Sequence, residues 1–381
     1  MRILQVAPAF PPSAFGGMST HVGLLSTGLA ARGHDVWVAT TNGYDFKHAM
    51  PFSGLREVGP VRVFYARSHW PRRYFFAPEI LRKLREWIPT FDVVHVHDPR
   101  SFVALAAFLV ARSRPVPYVV TCHGSLSSRI GSRWLKELHD HVVGRGLVRS
   151  ASRVLALNQI ELREIVKFGV APDRVNIVPN AIPPKQNGTF AATLEPRNNE
   201  PGLRTILYLG RIHRIKGIDR LINAFALTVA RSPDCRLLVV GQDYGAQQRL
   251  EKMVHDLGLA GKVFFPGPKY GHEKELLMQM ADVLVLPSHV ETFPMVVLEA
   301  FAEGVPVVTT VGCGIADELT ENQAALVVSS TAEMSMAIER CLTEPDVAEQ
   351  LRRNGLRMLQ TTYNWERVLD RISNIYREVA P

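Results

Sequence analysis

Cysteine is scarce. Cys122, Cys235, Cys313 and Cys341 stand far apart in a chain of 381 residues. Their spacing suits neither a zinc-ligand set nor a disulfide framework, so the expectation is reduced core thiols in a cytoplasmic protein. Long apolar runs are also missing. The longest, Phe102 to Ala111, falls far short of a membrane span and reads as a buried helix segment. The opening Met1 to Phe10 meets Pro11-Pro12 too early for a signal peptide and reads as a first strand. No Walker G-x-x-x-x-G-K-[ST] occurs, which argues against P-loop ATP hydrolysis. No complete G-x-G-x-x-G occurs either, which disfavours a nicotinamide cofactor. Low-complexity tracts and short repeats are absent.

What is present describes an ordinary globular protein of two domains, with 46% apolar and 21% charged residues. The formal charge of +8 is unevenly placed. Residues 1–183 hold 23 Lys+Arg against 12 Asp+Glu, whereas the remainder holds 21 against 24. The first half is therefore expected to face something anionic, such as a membrane surface, nucleic acid or an acidic substrate. Residues 70–88 mix Arg72, Arg73, Arg82, Lys83 and Arg85 with Tyr74, Phe75, Phe76 and Trp87. They read as an amphipathic helix with a wet charged face, or as a peripheral contact with an anionic bilayer. No nucleic-acid-binding module accompanies the charge, so no nucleic-acid partner is expected.

The chain alternates strand and helix from the start. Arg2–Ala9, Asp35–Thr40, Asp92–Asp98, Tyr118–Gly124, Arg153–Asn158 and Val175–Pro179 read as strands of a first parallel sheet. Gly16-Gly17 precedes a helix expected from about Ser19 to Ala31 and lets backbone approach a ligand closely. His95 and His97 share one strand face, as satisfied structural residues would. His123, followed by Gly124 and small residues, is the best functional candidate of the thirteen histidines. A Pro/Asn/Gly/Thr-rich linker is expected over 184–203. A second series follows over 204–364, with strands at Thr205–Gly210, Arg236–Gly241, Val263–Pro266, Asp282–Pro287, Pro306–Thr310 and Ala325–Val328. The fold class is α/β: two doubly wound, Rossmann-like domains facing across a cleft.

Two places in the second series gather charge where open α/β sheets bind ligands, at strand carboxyl ends beside helix N-termini. The first strand exits into Gly210-Arg211-Ile-His-Arg-Ile-Lys216-Gly217. There the planar fork of Arg211 and the mobile charge of Lys216 suit a diphosphate. Asp282–Pro287 exits into a turn carrying Glu291, then a helix from about Pro294 that carries Glu299 and stops at Gly304. Either pair alone would read as solvated charge.

Together these stretches resemble the nucleotide-sugar-dependent glycosyltransferases of family 4, also called group 1, which have the GT-B fold. The resemblance is carried by Gly16-Gly17, Thr121-Cys-His-Gly124, Val178-Pro-Asn-Ala181, Gly210-Arg211 with Lys216-Gly217, and Glu291-x7-Glu299 running into Glu299-Ala-Phe-Ala-Glu-Gly-Val-Pro306. Gly312 to Glu318 and the terminal helix after Tyr363-Asn-Trp complete it. The family implies that the terminal helix, about 365–381, crosses back onto the first domain. It implies that Arg211 and Lys216 bind the donor diphosphate, and that Glu291 bonds sugar hydroxyls while Glu299 holds the ribose. It also implies that Gly16-Gly17 close over the phosphates and that His123 touches the donor sugar. The turn Phe293, Pro294, Met295 and Val296 would line the donor. Transfer would retain anomeric configuration without an enzyme nucleophile. No Asp-x-Asp occurs, which fits an enzyme without a catalytic metal, and no other cofactor is implied.

The implied function is transfer from a nucleoside-diphosphate sugar, UDP before GDP, to a glycan, lipid-linked or small-molecule acceptor in cell-surface glycan or glycolipid synthesis. The place would be the cytoplasm, at the inner membrane face where the acceptor is lipid-linked. Pro294 stands where the family often has glycine, which removes one backbone N–H. Asn158 and Ala316 depart from a frequent serine and proline. A nucleotide-sugar epimerase, a phosphorylase or a non-catalytic nucleotide-sugar-binding module are the alternatives.

Overall fold

β-Branched runs and their turn residues build two open sheets in the computed structural model, which describes residues 1–45, 47–69, 75–126, 137, 139–184 and 202–380. The first sheet has eight strands: β1 (Arg2–Val6), β2 (Asp35–Thr41), β3 (Gly54–Val58), β4 (Val61–Ala66), β5 (Val93–His97), β6 (Tyr118–Thr121), β7 (Arg153–Ala156) and β8 (Val175–Ile177). Their order is β3-β4-β2-β1-β5-β6-β7-β8. β1 lies at the centre and runs parallel to both neighbours, Ile3 standing opposite Val36 of β2 and Val93 of β5. Its Ile3, Leu4 and Val6 are fully buried, as a strand covered on both faces by helices requires.

The second sheet has six strands: β9 (Arg204–Leu209), β10 (Cys235–Val240), β11 (Val263–Gly267), β12 (Val283–Leu286), β13 (Val307–Thr310) and β14 (Leu326–Val328). They are ordered β11-β10-β9-β12-β13-β14, and every pair is parallel. The chain divides into two compact units, Met1–Asn180 with Glu366–Pro381, and Ala181–Trp365. Most of the expected linker, residues 185–201, lies outside the described residues.

The first sheet departs from the sequence expectation at one edge. β3 and β4 form a hairpin that the reading omitted, and β3 is antiparallel, so this sheet is not wholly parallel. β3 is exposed along most of its length and carries Arg56 and Glu57, which deprives it of the apolar run that marks a buried strand. The first helix also begins earlier than expected, at Gly17 rather than Ser19.

The terminal helix, Trp365–Val379, packs its residues from Glu366 onward within the first unit. Trp365, Val368, Leu369, Ile372, Ile375 and Tyr376 are all buried, the stripe expected of an amphipathic helix. Arg32 pairs with Glu366 and, at 2.7 Å, with Asp370 on its outer side. The run Phe102–Ala111 is a helix capped by Ser101 and buried along most of its length, with Leu109 exposed.

Helix Glu79–Trp87 turns Ile80, Leu84 and Trp87 into the first unit's core and leaves Arg82 and Arg85 exposed. Its apolar face is therefore spent on the fold, while Trp70, Arg72, Arg73 and Tyr74 lie outside the described residues. All four cysteines are free and buried. Among the described residues no helix is long and apolar enough to cross a membrane.

Candidate active site

In each sheet the strand order reverses at one point: between β1 and β5 in the first, between β9 and β12 in the second. Crossover connections leave such a point in opposite directions, so the loops after its two strands part and open a crevice. The loop after β9 carries Arg211 and Lys216; the loop after β12 carries Glu291. The sequence placed both charges, and the switch point brings Lys216 and Glu291 into contact.

Lys216 Nζ donates to Glu291 Oε2, with the two side chains only 11% and 17% exposed. An ion pair so far removed from water holds together because each charge is the other's compensation. Gly217 makes the approach feasible. Its φ is 63°, and a Cβ there would fall 2.2 Å from the Pro287 carbonyl oxygen at the end of β12. Glu291 is stapled to the loop after β13: its N–H donates to Gly312 O at 2.9 Å, and its carbonyl accepts from Gly314 N at 2.7 Å.

Arg211 is exposed, its guanidinium 5.5 Å from the centre of the Tyr244 ring, while its carbonyl accepts from the Tyr208 hydroxyl at 2.8 Å. His213 Nδ1 accepts from Ile215 N at 3.2 Å. Burial, with help from Arg211, Lys216 and Arg214, holds that imidazole below its usual range.

The helix after Glu291 runs Met295–Ala302 without a side-chain cap; Val297 N donates to the Pro294 carbonyl at 3.0 Å, and the N–H groups of Met295 and Val296 precede it in the first turn. Phe293, Pro294 and Met295 are buried. Phe293 packs edge-on against Tyr363 at 5.5 Å between ring centres. Val296, the fourth expected donor-lining residue, is half-buried. Glu299 pairs with Lys274 at 2.7 Å, a partner the sequence did not suggest.

In the first unit, Gly16 caps the helix that starts at Gly17, with φ 81°. One turn on, His21 lies 5.5 Å from the His123 ring, centre to centre. His123 itself holds φ 52°, uncommon for a residue with a Cβ. The loop around it is pinned from two sides. Glu161 accepts from Gly124 N, and from Leu157 N at 2.7 Å. Arg100 donates to the carbonyls of Ser125 and Leu126 and pairs with Asp140.

Behind His123, four further side chains line up, three from the sheet and one, Tyr376, from the terminal helix. His123 Nε2 meets His97 Nδ1 at 2.9 Å, and His97 Nε2 meets Gln5 Oε1 at 2.7 Å. Gln5 Nε2 donates to Tyr376 Oη at 3.2 Å, and Tyr376 Oη meets His95 Nδ1 at 2.6 Å. Burial, then neighbouring histidines, holds His95, His97 and His123 well below the usual imidazole range; burial alone takes His21 to about 4. All four are neutral at physiological pH. Among the described residues no group of three or more His, Cys, Asp or Glu is arranged to hold a metal ion. Sequence reasoning found His123 but not Gln5 or Tyr376, which reach it only through the fold.

Residues 192–358 match the family model for Glycosyl transferases group 1, and residues 15–186 that for Glycosyltransferase Family 4. A glycogen synthase from Mycobacterium tuberculosis (strain H37Rv) is 30% identical over 408 residues, covering 99% of this chain and 94% of its own. Sucrose-phosphate synthase from Thermosynechococcus elongatus has a similar structure, with a TM-score of 0.80 at 23% identity over 99% of each chain. Anabaena HepE in complex with UDP-glucose gives a TM-score of 0.75 at 18% identity, covering 99% of this chain and 100% of its own.

Proposed function

Since the chain belongs to glycosyltransferase family 4, the group 1 glycosyl transferases, and has their GT-B fold of two parallel-sheet α/β domains, we propose that it transfers a sugar from a nucleoside diphosphate to an acceptor hydroxyl with retained anomeric configuration. UDP-sugars are the first donors to test and GDP-sugars the next; the HepE relative was solved with UDP-glucose.

The observation that carries the reading is the shielded Lys216–Glu291 pair at the β9/β12 switch point, beside the uncapped helix at Met295. Cleavage of the bond between the anomeric carbon and the β-phosphate oxygen leaves negative charge on the departing diphosphate. Lys216, Arg211 and the first-turn N–H groups at Met295 and Val296 are prearranged to meet that charge, which lowers the barrier more than it tightens ground-state binding. The acceptor oxygen attacks from the face the diphosphate leaves, and its proton passes to the leaving phosphate oxygen. No enzyme nucleophile is needed, and these cations take the place of a metal.

Glu291 is the group for sugar hydroxyls and Glu299 for the ribose. In the first unit, Gly16-Gly17 offer backbone N–H to phosphate, and His123 offers a ring nitrogen to a sugar hydroxyl.

Calorimetric titration with UDP, GDP and ADP, repeated on Lys216→Ala, tests this. One nucleotide is expected to bind, and loss of a charged hydrogen bond worth about 1.5–3 kcal/mol weakens it about ten- to a hundredfold. If none of the three binds, or Lys216→Ala binds as well as the parent, the donor site is elsewhere. NMR of the product then reads the configuration, and an inverted linkage rejects the retaining mechanism.

A further inference from the structure

Six side chains far apart in sequence form one continuous hydrogen-bonded series in the first unit: His123, His97, Gln5, Tyr376, His95 and Thr121, the last accepting or donating at 2.7 Å from His95 Nε2. Gln5, His95, His97 and Tyr376 are fully buried, so no water can complete or interrupt the series at those points. Polarity then follows from valence. Gln5 places its amide oxygen toward His97 and its amide nitrogen toward Tyr376. The oxygen carries no proton, so His97 Nε2 must donate to it.

A neutral imidazole has one N–H, which leaves His97 Nδ1 as a lone pair and obliges His123 Nε2 to donate. His123, neutral too, is left with a lone pair on Nδ1. On the other side Gln5 donates to Tyr376, whose hydroxyl donates to His95 Nδ1, and His95 Nε2–H donates to Thr121 Oγ1. Every member donates to the next, and none is frustrated.

We propose that this relay sets the donor–acceptor polarity of His123, with Gln5 and Tyr376 as positioning residues that keep Nδ1 an acceptor for a sugar hydroxyl. Reversing the Gln5 amide would reverse every bond and turn Nδ1 into a donor, so the placement of that amide decides what His123 can recognise. Tyr376, from the terminal helix, accepts from the amide nitrogen in the observed placement; because a hydroxyl both accepts and donates, it carries the direction set by the Gln5 amide on to His95. A hydroxyl pointing its hydrogen at His123 then gains a partner, whereas an ether or a deoxy sugar at that position does not. The ligand assignment rests on the proposed glycosyltransferase reaction; the tautomer does not.

Nitrogen-15 NMR of histidine-labelled protein reads the tautomer directly, without any ligand. The parent is expected to show His123 as the Nε2–H form alone. Tyr376→Phe keeps the ring and removes only the hydroxyl, and Gln5→Leu removes the amide. In each, His123 is expected to become a mixture of tautomers. Turnover is expected to drop about tenfold, the scale for losing a side chain that orients a functional group, with UDP affinity unchanged. A parent carrying the proton on Nδ1, or folded variants that keep the parent tautomer, overturn the proposal. If melting curves show that one variant does not fold, the other and the parent spectrum still decide. A parent that transfers no sugar refutes the proposed function while the tautomer reading stands or falls separately.

Discussion

A Cβ built on Gly217 falls 2.2 Å from a carbonyl oxygen that belongs to the neighbouring strand's end, and the residue already holds φ 63°. Neither side of that contact is a flexible chain end, so the loop must move. Gly217→Ala is expected to cost about 1–3 kcal/mol in urea unfolding and to pull Lys216 away from Glu291, weakening nucleotide binding by calorimetry. Gly258→Ala is the control. Its φ is 67°, but nothing lies within 4 Å of the added carbon, so it should lose about 1 kcal/mol and bind nucleotide normally. Equal binding by both variants would mean that Gly217 does not set the geometry of the ion pair.

At this scale the sequence was informative about charge and silent about partners. Lys216 and Glu291 could be placed because each sits a few residues past a recognisable strand. Lys274 beside Glu299, and Tyr376 beside Gln5, could not, since the latter pair is 371 residues apart and only the packing of the last helix joins it to the first strand.

Elements were legible where their burial pattern was strong. Trp365, Val368, Leu369, Ile372, Ile375 and Tyr376 stand at helical spacing in the sequence, and the structure buries every one of them. The hairpin β3–β4 was illegible because β3 is an exposed edge whose charged residues discourage further pairing rather than fill a core. Helix Glu79–Trp87 was legible as amphipathic but ambiguous in what its apolar side meets; the structure gives that side to the core.

The same contrast predicts what holds the terminal helix. Ile372 is 1% exposed, so Ile372→Ala leaves a cavity and should cost about 2–5 kcal/mol. Glu366 pairs with Arg32 while 67% of its side chain is exposed, so Glu366→Ala should cost about 1 kcal/mol or less. Urea midpoints of the two variants settle the order, and a costlier Glu366→Ala would show that the ion pairs, not the stripe, dock the helix.

For the whole molecule, proton uptake on unfolding connects the buried histidines to stability. Burial depresses the folded-state pKa of His21, His95, His97 and His123, so the unfolded chain takes up protons near pH 6.5 that the folded chain refuses. Stability from these groups is complete above about pH 6.5 and is lost as the pH falls, for His21 down to its folded value of about 4. Within that window each histidine adds up to about 1.4 kcal/mol per pH unit. Burial acts oppositely on Glu161, raised to about 7, and on Asp98 and Glu318, which are raised as well.

A carboxyl with a raised folded value favours folding below its unfolded value and loses that contribution as the pH rises through the folded one. Between about pH 7 and 5 Glu161 therefore offsets about one histidine, and the imidazoles prevail. The melting temperature is expected to fall on going from about pH 7.5 to about 5.5. His21→Leu should flatten that fall, since it removes one refused proton together with a buried Nδ1 that has no hydrogen-bond partner among the described residues. All four histidines lie in the unit formed by Met1–Asn180 and Glu366–Pro381, so the acid-sensitive transition should be that unit's. A melting temperature that holds or rises on acidification would mean that the cluster is charged in the folded protein. The hydrogen-bond series deduced for neutral imidazoles could not then exist.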